Sequence, residues 1–211
     1  MSKSYAQNSE DIIVYNYLHR MGVNIGSVLD IGANDGALYS NSRFFHKLGW
    51  TVHLVEPAPA AIERLKIEYK DEPENTYKIW PYAIGLNDKE QVNFKQSGSL
   101  INKGDVALVS TFSDEEMRRW PNMDYEDVKV DVLCFASLMK KIGPVIFDFI
   151  SIDVEGLDYD ILNQIDFSTR ISTKVICVEN NGKEESKYLK RMIPFGFRLI
   201  HKNGENLIFA R

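Results

Sequence analysis

Cysteine is scarce in this chain of 211 residues. Only Cys134 and Cys177 occur, each in an apolar stretch and neither in a Cys-x-x-Cys pair. Buried reduced thiols are therefore expected, and a chain of this length can bury a core without disulfides or a structural metal. No apolar run approaches the ~20 residues of a membrane span. The opening Met1-Ser-Lys-Ser-Tyr-Ala-Gln7 lacks the apolar centre of a signal peptide. A soluble, cytoplasmic protein is the expectation. There is no long basic run, and the formal net charge is −5. Phosphate neutralisation needs clustered Lys and Arg, so no nucleic-acid partner is expected. Internal repeats and low-complexity segments are missing too. His19, His46, His53 and His201 have no metal-like spacing and read as structural.

What is present is an ordinary globular composition, 44% hydrophobic and 26% charged, which excludes a disordered chain. Short apolar runs alternate with segments of helical spacing. Strands are expected at 27–31, 51–55, 77–84, 91–95, 128–134, 145–152, 174–178, 197–201 and 206–210. Helices are expected at 10–20 with Ser9 as N-cap, 40–48, 59–70, 135–142, 159–165 and 183–193. Pro59 sits near the first turn of its helix, where proline is preferred. Ser113 and Glu116 form a capping-box pattern for a short helix ending near Trp120-Pro121. Lys202-Asn-Gly-Glu205 between two apolar runs signals a hairpin. Such alternation predicts an α/β fold with a mostly parallel sheet, helices on both faces and an antiparallel C-terminal hairpin. One domain over 1–211 is expected, with an N-terminal helical segment at 1–22. Residues 97–127 break the alternation and read as an insertion or substrate lid. Trp120, Met123 and Tyr125 within it could grip a ring or anchor the lid.

Sheets of this kind bind ligands at the carboxyl ends of their strands. Four strand ends carry acidic or polar groups: Asp30 with its loop, Glu56, Asp153, and Glu179-Asn180. Asp30-x-Gly32-x-x-x-Gly36 departs from the dinucleotide pattern Gly-x-Gly-x-x-Gly, because residue 34 is Asn. The missing glycine costs room for a pyrophosphate against the backbone. S-adenosylmethionine has no phosphate and needs a glycine turn plus an acid for its ammonium, which Asp30 can supply directly or through water. Glu56, 20 residues after Gly36 at a strand end, suits the ribose hydroxyls of either NAD or S-adenosylmethionine.

Val28-Leu-Asp-Ile-Gly-Ala-Asn-Asp-Gly36 resembles the first motif of class I methyltransferases. More narrowly, the chain resembles the FkbM family of methyltransferases. The match is carried by Tyr5-Ala-Gln-Asn-Ser-Glu-Asp11, Asp30 to Gly36 with Ser40, Gly49-Trp50 leading to Glu56-Pro57, Tyr82-Ala-Ile-Gly85, and Ile152-Asp-Val-Glu-Gly156. The resemblance implies a Rossmann-like class I methyltransferase fold with a seven-stranded sheet. It implies transfer of the sulfonium methyl, usually to an oxygen of a sugar, glycan or natural product. It also implies cofactor contacts at Asp30, Gly32, Asn34, Gly36, Ser40 and Glu56, with Ala83 lining the adenine; Asp153, at its own strand end, could bind the cofactor amine, act as base, hold a metal or cap the next helix. Ser40 has a second reading, as a cap of the helix that follows. Gln7, Glu10 and Asp11 belong to the N-terminal signature and are expected to fold over cofactor or acceptor.

Methyl transfer is an in-line displacement, so alignment is the main task. A sugar hydroxyl also benefits from a base or a metal. Asp153, Glu155 and Glu179 are the catalytic candidates. Asp153, Glu179 and Asn180 resemble the magnesium site of catechol-type methyltransferases, and oxygen ligands of this kind suit magnesium or manganese. Gln7, Glu10 and Asn180 are the candidate acceptor contacts. Two other readings stay open. One is an NAD-dependent oxidoreductase, which shares Glu56 but lacks an obvious Tyr-x-x-x-Lys pair. The other is a Rossmann-like binding domain without activity. The acceptor and the oligomeric state are not legible.

Overall fold

The computed structural model describes residues 3–99, 106–167, 173–182 and 184–211. The chain opens with helix α1 (Glu10–Arg20), then β1 (Ser27–Ile31), α2 (Arg43–Lys47), β2 (Thr51–Val55), α3 (Pro59–Tyr69) and β3 (Tyr77–Trp80). A second group follows: β4 (Ala83–Ile84), β5 (Lys89–Ser97), α4 (Asp114–Arg119) and β6 (Tyr125–Leu133). The last part holds α5 (Phe135–Ile142), β7 (Phe149–Ile152), α6 (Asp158–Gln164), β8 (Val175–Glu179), α7 (Glu185–Met192), β9 (Arg198–Lys202) and β10 (Asn206–Ala210). The first residue of the expected 183–193 helix lies outside the described residues.

Seven strands form one sheet in the order β3-β2-β1-β7-β8-β10-β9. The first five are parallel, while β10 runs antiparallel to both neighbours. The expected seven-stranded sheet and closing hairpin are thus present. Alternation sorts the side chains to two faces. Leu29, Ile31, Ile150 and Ile152 meet Leu138, Ile161, Leu162 and Met192 of α5, α6 and α7. Val28, Val52, Leu54, Phe149 and Cys177 meet Val14, Leu18, Phe45 and Leu65 of α1, α2 and α3. Helices therefore cover both faces. Cys177 is buried, and both cysteines are free thiols. Among the described residues no helix is long and apolar enough to cross a membrane.

Several boundaries differ from expectation, each for a local reason. The run 77–84 is two strands, because Pro81 cannot continue the ladder of β3. β3 stays in the main sheet, and β4 joins β6 in a separate sheet of order β4-β6-β5. The apolar run from Val145 enters the sheet only at Phe149, since its neighbour β1 begins pairing at Val28, and Ile146 is exposed. Ser9 does not cap α1 through its side chain; its backbone is left-handed at φ 66°. Its neighbours are held by acids instead. Glu10 accepts from the Asn8 N–H, and Asp11 accepts from Tyr5 and Ala6. Ser113 does cap α4, accepting from the Glu116 N–H. α2 starts at Arg43 rather than residue 40, because Ser40 and its neighbours form the turn that caps it, with Ser40 Oγ accepting from Arg43 N.

The stretch 97–127 is less of an insertion than its composition implied. Its first residue ends β5 and its last three begin β6, two nine-residue antiparallel strands. The described part between them folds back. Ala107 N–H donates to Ser97, and Lys95 and Thr111 exchange backbone hydrogen bonds. Phe94, Ala107, Val130 and Val132 pack with Ala58 and Ala61 near the start of α3, so the small sheet is anchored beside the second strand end.

Candidate active site

The strand ends converge on a cleft with two lobes. The first, of about 210 Å³, is polar and lined in part by Gln7, Glu10, Asp30, Ser40, Arg119, Trp120, Glu179 and Glu205. The second, of about 50 Å³, is mostly apolar, with Ile31, Val55, Tyr82, Ala83, Phe94, Phe112 and Leu157 around Glu56. Gly32, Asn34, Leu108, Asp153 and Glu155 line both. These five residues are the junction at which anything spanning the cleft must pass.

The loop after β1 is shaped by its neighbour. Gly32 has φ +90°, and a Cβ there would fall 1.6 Å from the Asp153 carbonyl oxygen. Only glycine lets the ends of β1 and β7 approach so closely. Gly36 lines neither lobe. A Cβ on it would run into Leu65 and Tyr69 of α3, so this glycine serves the packing of loop against helix. Asn34 adopts φ 46°, and its N–H donates to Glu56 Oε2 at 2.9 Å. Its side-chain amide is buried, with neither nitrogen nor oxygen hydrogen-bonded among the described residues. A buried orphan amide costs about 1–3 kcal/mol unless a ligand satisfies it.

Glu56 is nearly fully buried. Its Oε1 accepts from the Ala58 N–H at 2.8 Å, which with the Asn34 bond fixes the carboxylate and leaves a lone pair on each oxygen. Burial pushes its pKa up to about 7, against the pull of those two backbone donors. Asp30 is also buried and is pushed to about 6 by burial, opposed by hydrogen bonds from Ser42 and Ser151. Ser42 Oγ donates to it at 2.5 Å. Ser40 lines the polar lobe, and its Oγ accepts from the Arg43 N–H at the start of α2.

On the other side, Asp153 follows β7, Glu155 sits two residues on at φ 55°, and Glu179 ends β8. Burial holds the Asp153 carboxyl well above its usual range, and the charges of Glu155 and Asp158 add to it. Burial and Asp158 raise Glu155, while Arg119 opposes. Burial, then Asp153, raises Glu179. One oxygen each of Asp153, Asp158 and Glu179 lies within 4.8 Å of the other two. Asp158 was not foreseen. Its only signal in the sequence is a place in the first turn after Gly156. Asn180 lies outside both lobes, in an adjoining acidic groove of about 420 Å³ that also exposes Asp158 and Glu179. Its backbone N–H donates to the Glu205 carbonyl at 2.7 Å.

Gln7 and Glu10 of the N-terminal segment line the polar lobe. Gln7 Nε2 donates to Glu205 at 3.0 Å. Glu10 accepts from Asn203 at 2.7 Å and Asn206 at 3.0 Å. Burial would raise Glu10, but these bonds and two backbone donors bring it below its ordinary value. Asp11 holds residues 4–6 from beneath and lines no lobe. Sequence reading also missed Arg119, Glu205 and Asn206. Arg119 binds Glu116 and donates to Asn181 at 3.1 Å, and it lies 3.9 Å from Glu155. The Thr111 side-chain hydroxyl donates to the Glu155 carbonyl at 2.6 Å and ties the hairpin to the β7 loop. Distant partners of this kind leave no local pattern.

The model of the FkbM methyltransferase domain matches residues 30–199. The chain belongs to this family. Its fold is that of solved methyltransferases of low sequence similarity. A precorrin-6y C5,15-methyltransferase from Geobacter metallireducens GS-15 is 12% identical with a TM-score of 0.53, over 100% of this chain and 92% of that one. A magnesium protoporphyrin IX methyltransferase from Synechocystis PCC 6803, solved with bound S-adenosylhomocysteine, is 12% identical with a TM-score of 0.52, over 97% and 83%. A ribosomal protein L11 methylase from Lactobacillus delbrueckii subsp. bulgaricus is 10% identical with a TM-score of 0.51, over 97% and 78%. A search of curated proteins finds no significant match. Methyl transfer with S-adenosylmethionine as donor follows from the family. In the cleft the orphan Asn34 amide stands at the junction of the two lobes, Glu56 lines the apolar lobe and Asp30 the polar one.

Proposed function

We propose that this methyltransferase places the methyl of S-adenosylmethionine on a hydroxyl oxygen of a sugar, glycan or natural product. The observation that carries the reading is the junction between the lobes. There Asp153 and Glu155 stand beside both the donor lobe and the polar lobe. The donor supplies an electrophilic methyl held on a sulfonium. Gly32, Asn34 and Glu56 bind and orient it, with Ala83 against the adenine, and the loop after β1 keeps its position fixed against β7. Asp153 or Glu155 accepts the proton of an acceptor hydroxyl, and Glu179 supports that carboxylate from below the polar lobe. Alignment of this kind supplies most of the rate, with general-base help of about 10²- to 10⁴-fold.

The lining of the polar lobe favours a hydroxyl-rich acceptor. Gln7, Asn181, Glu205 and Asn206 offer donors and acceptors around the indole of Trp120. On this proposal the 97–127 region is the acceptor-selecting lid, since Leu108, Val109 and Trp120 belong to the wall. A magnesium ion belongs to the proposal through Asp153 and Glu179, with Asn180 lining the adjoining groove. Carboxylates at every wall disfavour a phosphate backbone as acceptor, and they disfavour the pyrophosphate of NAD for the same reason. A cytoplasmic setting is part of the proposal as well.

Thermal unfolding with S-adenosylhomocysteine, and with NAD as control, tests the donor site. Ligand at about 100 times its dissociation constant adds roughly 2.7 kcal/mol, a rise of roughly 5–10 °C. A rise with NAD alone would put the dehydrogenase in front. With the donor site established, transfer of labelled methyl to a panel of glycosides, amines and nucleic acids tests the acceptor. Labelling confined to amines or nucleic acids would overturn the hydroxyl assignment.

A further inference from the structure

We infer that Asp153, Asp158 and Glu179 form a binding site for one divalent cation of the magnesium or manganese type. An ion of this class sits about 2.0–2.6 Å from each oxygen ligand, so ligands on one ion are at most ~5 Å apart. One oxygen each of these three carboxylates satisfies that limit, all lying within 4.8 Å of one another. Three separate framework elements deliver them: the end of β7, the first residue of α6 and the last residue of β8.

Glu179 points to a missing ligand independently of the cluster. It is 7% exposed, and its Oε2 has no hydrogen-bond partner among the described residues. Leaving a carboxylate oxygen buried and bare is costly, and a cation removes the cost. Asp158 is held ready for the task. Its two oxygens accept from the N–H groups of Val154 at 2.9 Å and Gly156 at 3.1 Å. That fixes the carboxylate and leaves one lone pair on each oxygen. Such orienting bonds are what metal ligands need. Nearby cations have other bonds: Arg119 holds Glu116 and Asn181, and Lys187 holds Glu184.

The site also has an entrance. Asp158 and Glu179 line the groove of about 420 Å³, whose other walls include Glu115, Glu116, Asp160 and Glu184. This acidic channel attracts cations and has room for the waters that such ions retain. All three ligands are carboxylates, which favours magnesium, manganese or calcium over zinc. Asp158 is thus the third protein ligand, where the sequence had suggested Asn180. The ion's catalytic use, holding an acceptor oxygen beside the methyl, rests on the proposed methyl transfer. Its binding does not.

The test is manganese titration of the full chain after chelator treatment, read by the paramagnetic resonance of free Mn²⁺ and by calorimetry. Binding of S-adenosylhomocysteine is measured in parallel. One Mn²⁺ per chain is expected, with a dissociation constant of about 100 µM or tighter. Glu179→Gln and Asp158→Asn should each weaken it by about tenfold or more. Asp160→Asn removes the same charge from the groove outside the cluster, and should weaken it by less than about threefold. No Mn²⁺ binding by protein that binds S-adenosylhomocysteine overturns the site. So does equal weakening by all three variants, which would mean diffuse attraction. Mn²⁺ binding without S-adenosylhomocysteine binding would keep the ion site and sink the donor reading.

Discussion

The two lobes of the cleft treat their carboxylates in opposite ways. Beside the apolar lobe, Glu56 receives two backbone N–H groups from its own strand-end loops and is fixed before any ligand arrives. Beside the polar lobe and its adjoining groove, burial raises Asp153, Glu155, Asp158 and Glu179; Asp158 adds to the rise at the other three, and Arg119 opposes it at Glu155 and Glu179. The donor side is preorganised by hydrogen bonds. The other side buries carboxyls whose charged forms burial disfavours and a cationic partner would favour. Catalysis by alignment needs the first, and activation of a poor nucleophile uses the second.

Four substitutions or conditions would break or sharpen this contrast. The largest effect is expected at the junction. Gly32→Ala places a Cβ against the Asp153 carbonyl in a backbone region that alanine avoids. A loss of about 3 kcal/mol or more is expected by denaturant unfolding, with loss of donor binding. A tolerant Gly32→Ala would mean that the β1 and β7 loops are not locked together. Next, Glu56→Gln keeps shape and removes the charged acceptor of the ribose hydroxyls. Calorimetry should show S-adenosylhomocysteine affinity falling about 10- to 100-fold, and unchanged affinity would remove Glu56 from the donor site.

A smaller and purely acceptor-side effect is expected from Trp120→Ala. The acceptor KM should rise roughly tenfold while donor affinity stays within about twofold. Parallel loss of both would erase the distinction between the lobes. The mildest expected effect is pH dependence. Asp30 and Glu56 have folded-state values of about 6 and about 7, above their ordinary 3.8 and 4.5. Between those limits the folded chain binds more protons than the unfolded one, so stability falls as pH rises. The free protein's midpoint should fall steadily from pH 4.5 to pH 7.5. Glu56→Gln should flatten the trend. A midpoint that rises over this range would mean these acids are not held neutral.

Much of the proposed donor side can be read from the sequence because it is local. Asp30 to Gly36 is one loop, and Glu56 ends the neighbouring strand, so spacing alone places them. Even so, part of this loop's role is not local. Gly36 makes room for Leu65 and Tyr69 of α3, a contact no motif reveals. The acceptor side was legible only at Asp153, Glu155 and Glu179, which stand at strand ends. Arg119, Asp158 and Glu205 come to the site from the end of α4, the start of α6 and the last turn. Their sequence neighbours say nothing of that meeting.

By itself the sequence determined the order of strands and helices, the antiparallel close and the acids at the strand ends. Those follow from alternation, turn residues and the reach of a single loop, all short-range properties. Tertiary structure decided the division of the 77–84 run between two sheets, the fold of 106–112 over the cleft, and the convergence of Asp153, Asp158 and Glu179. Those depend on which elements pack together, and burial fixes that only once the whole core has formed.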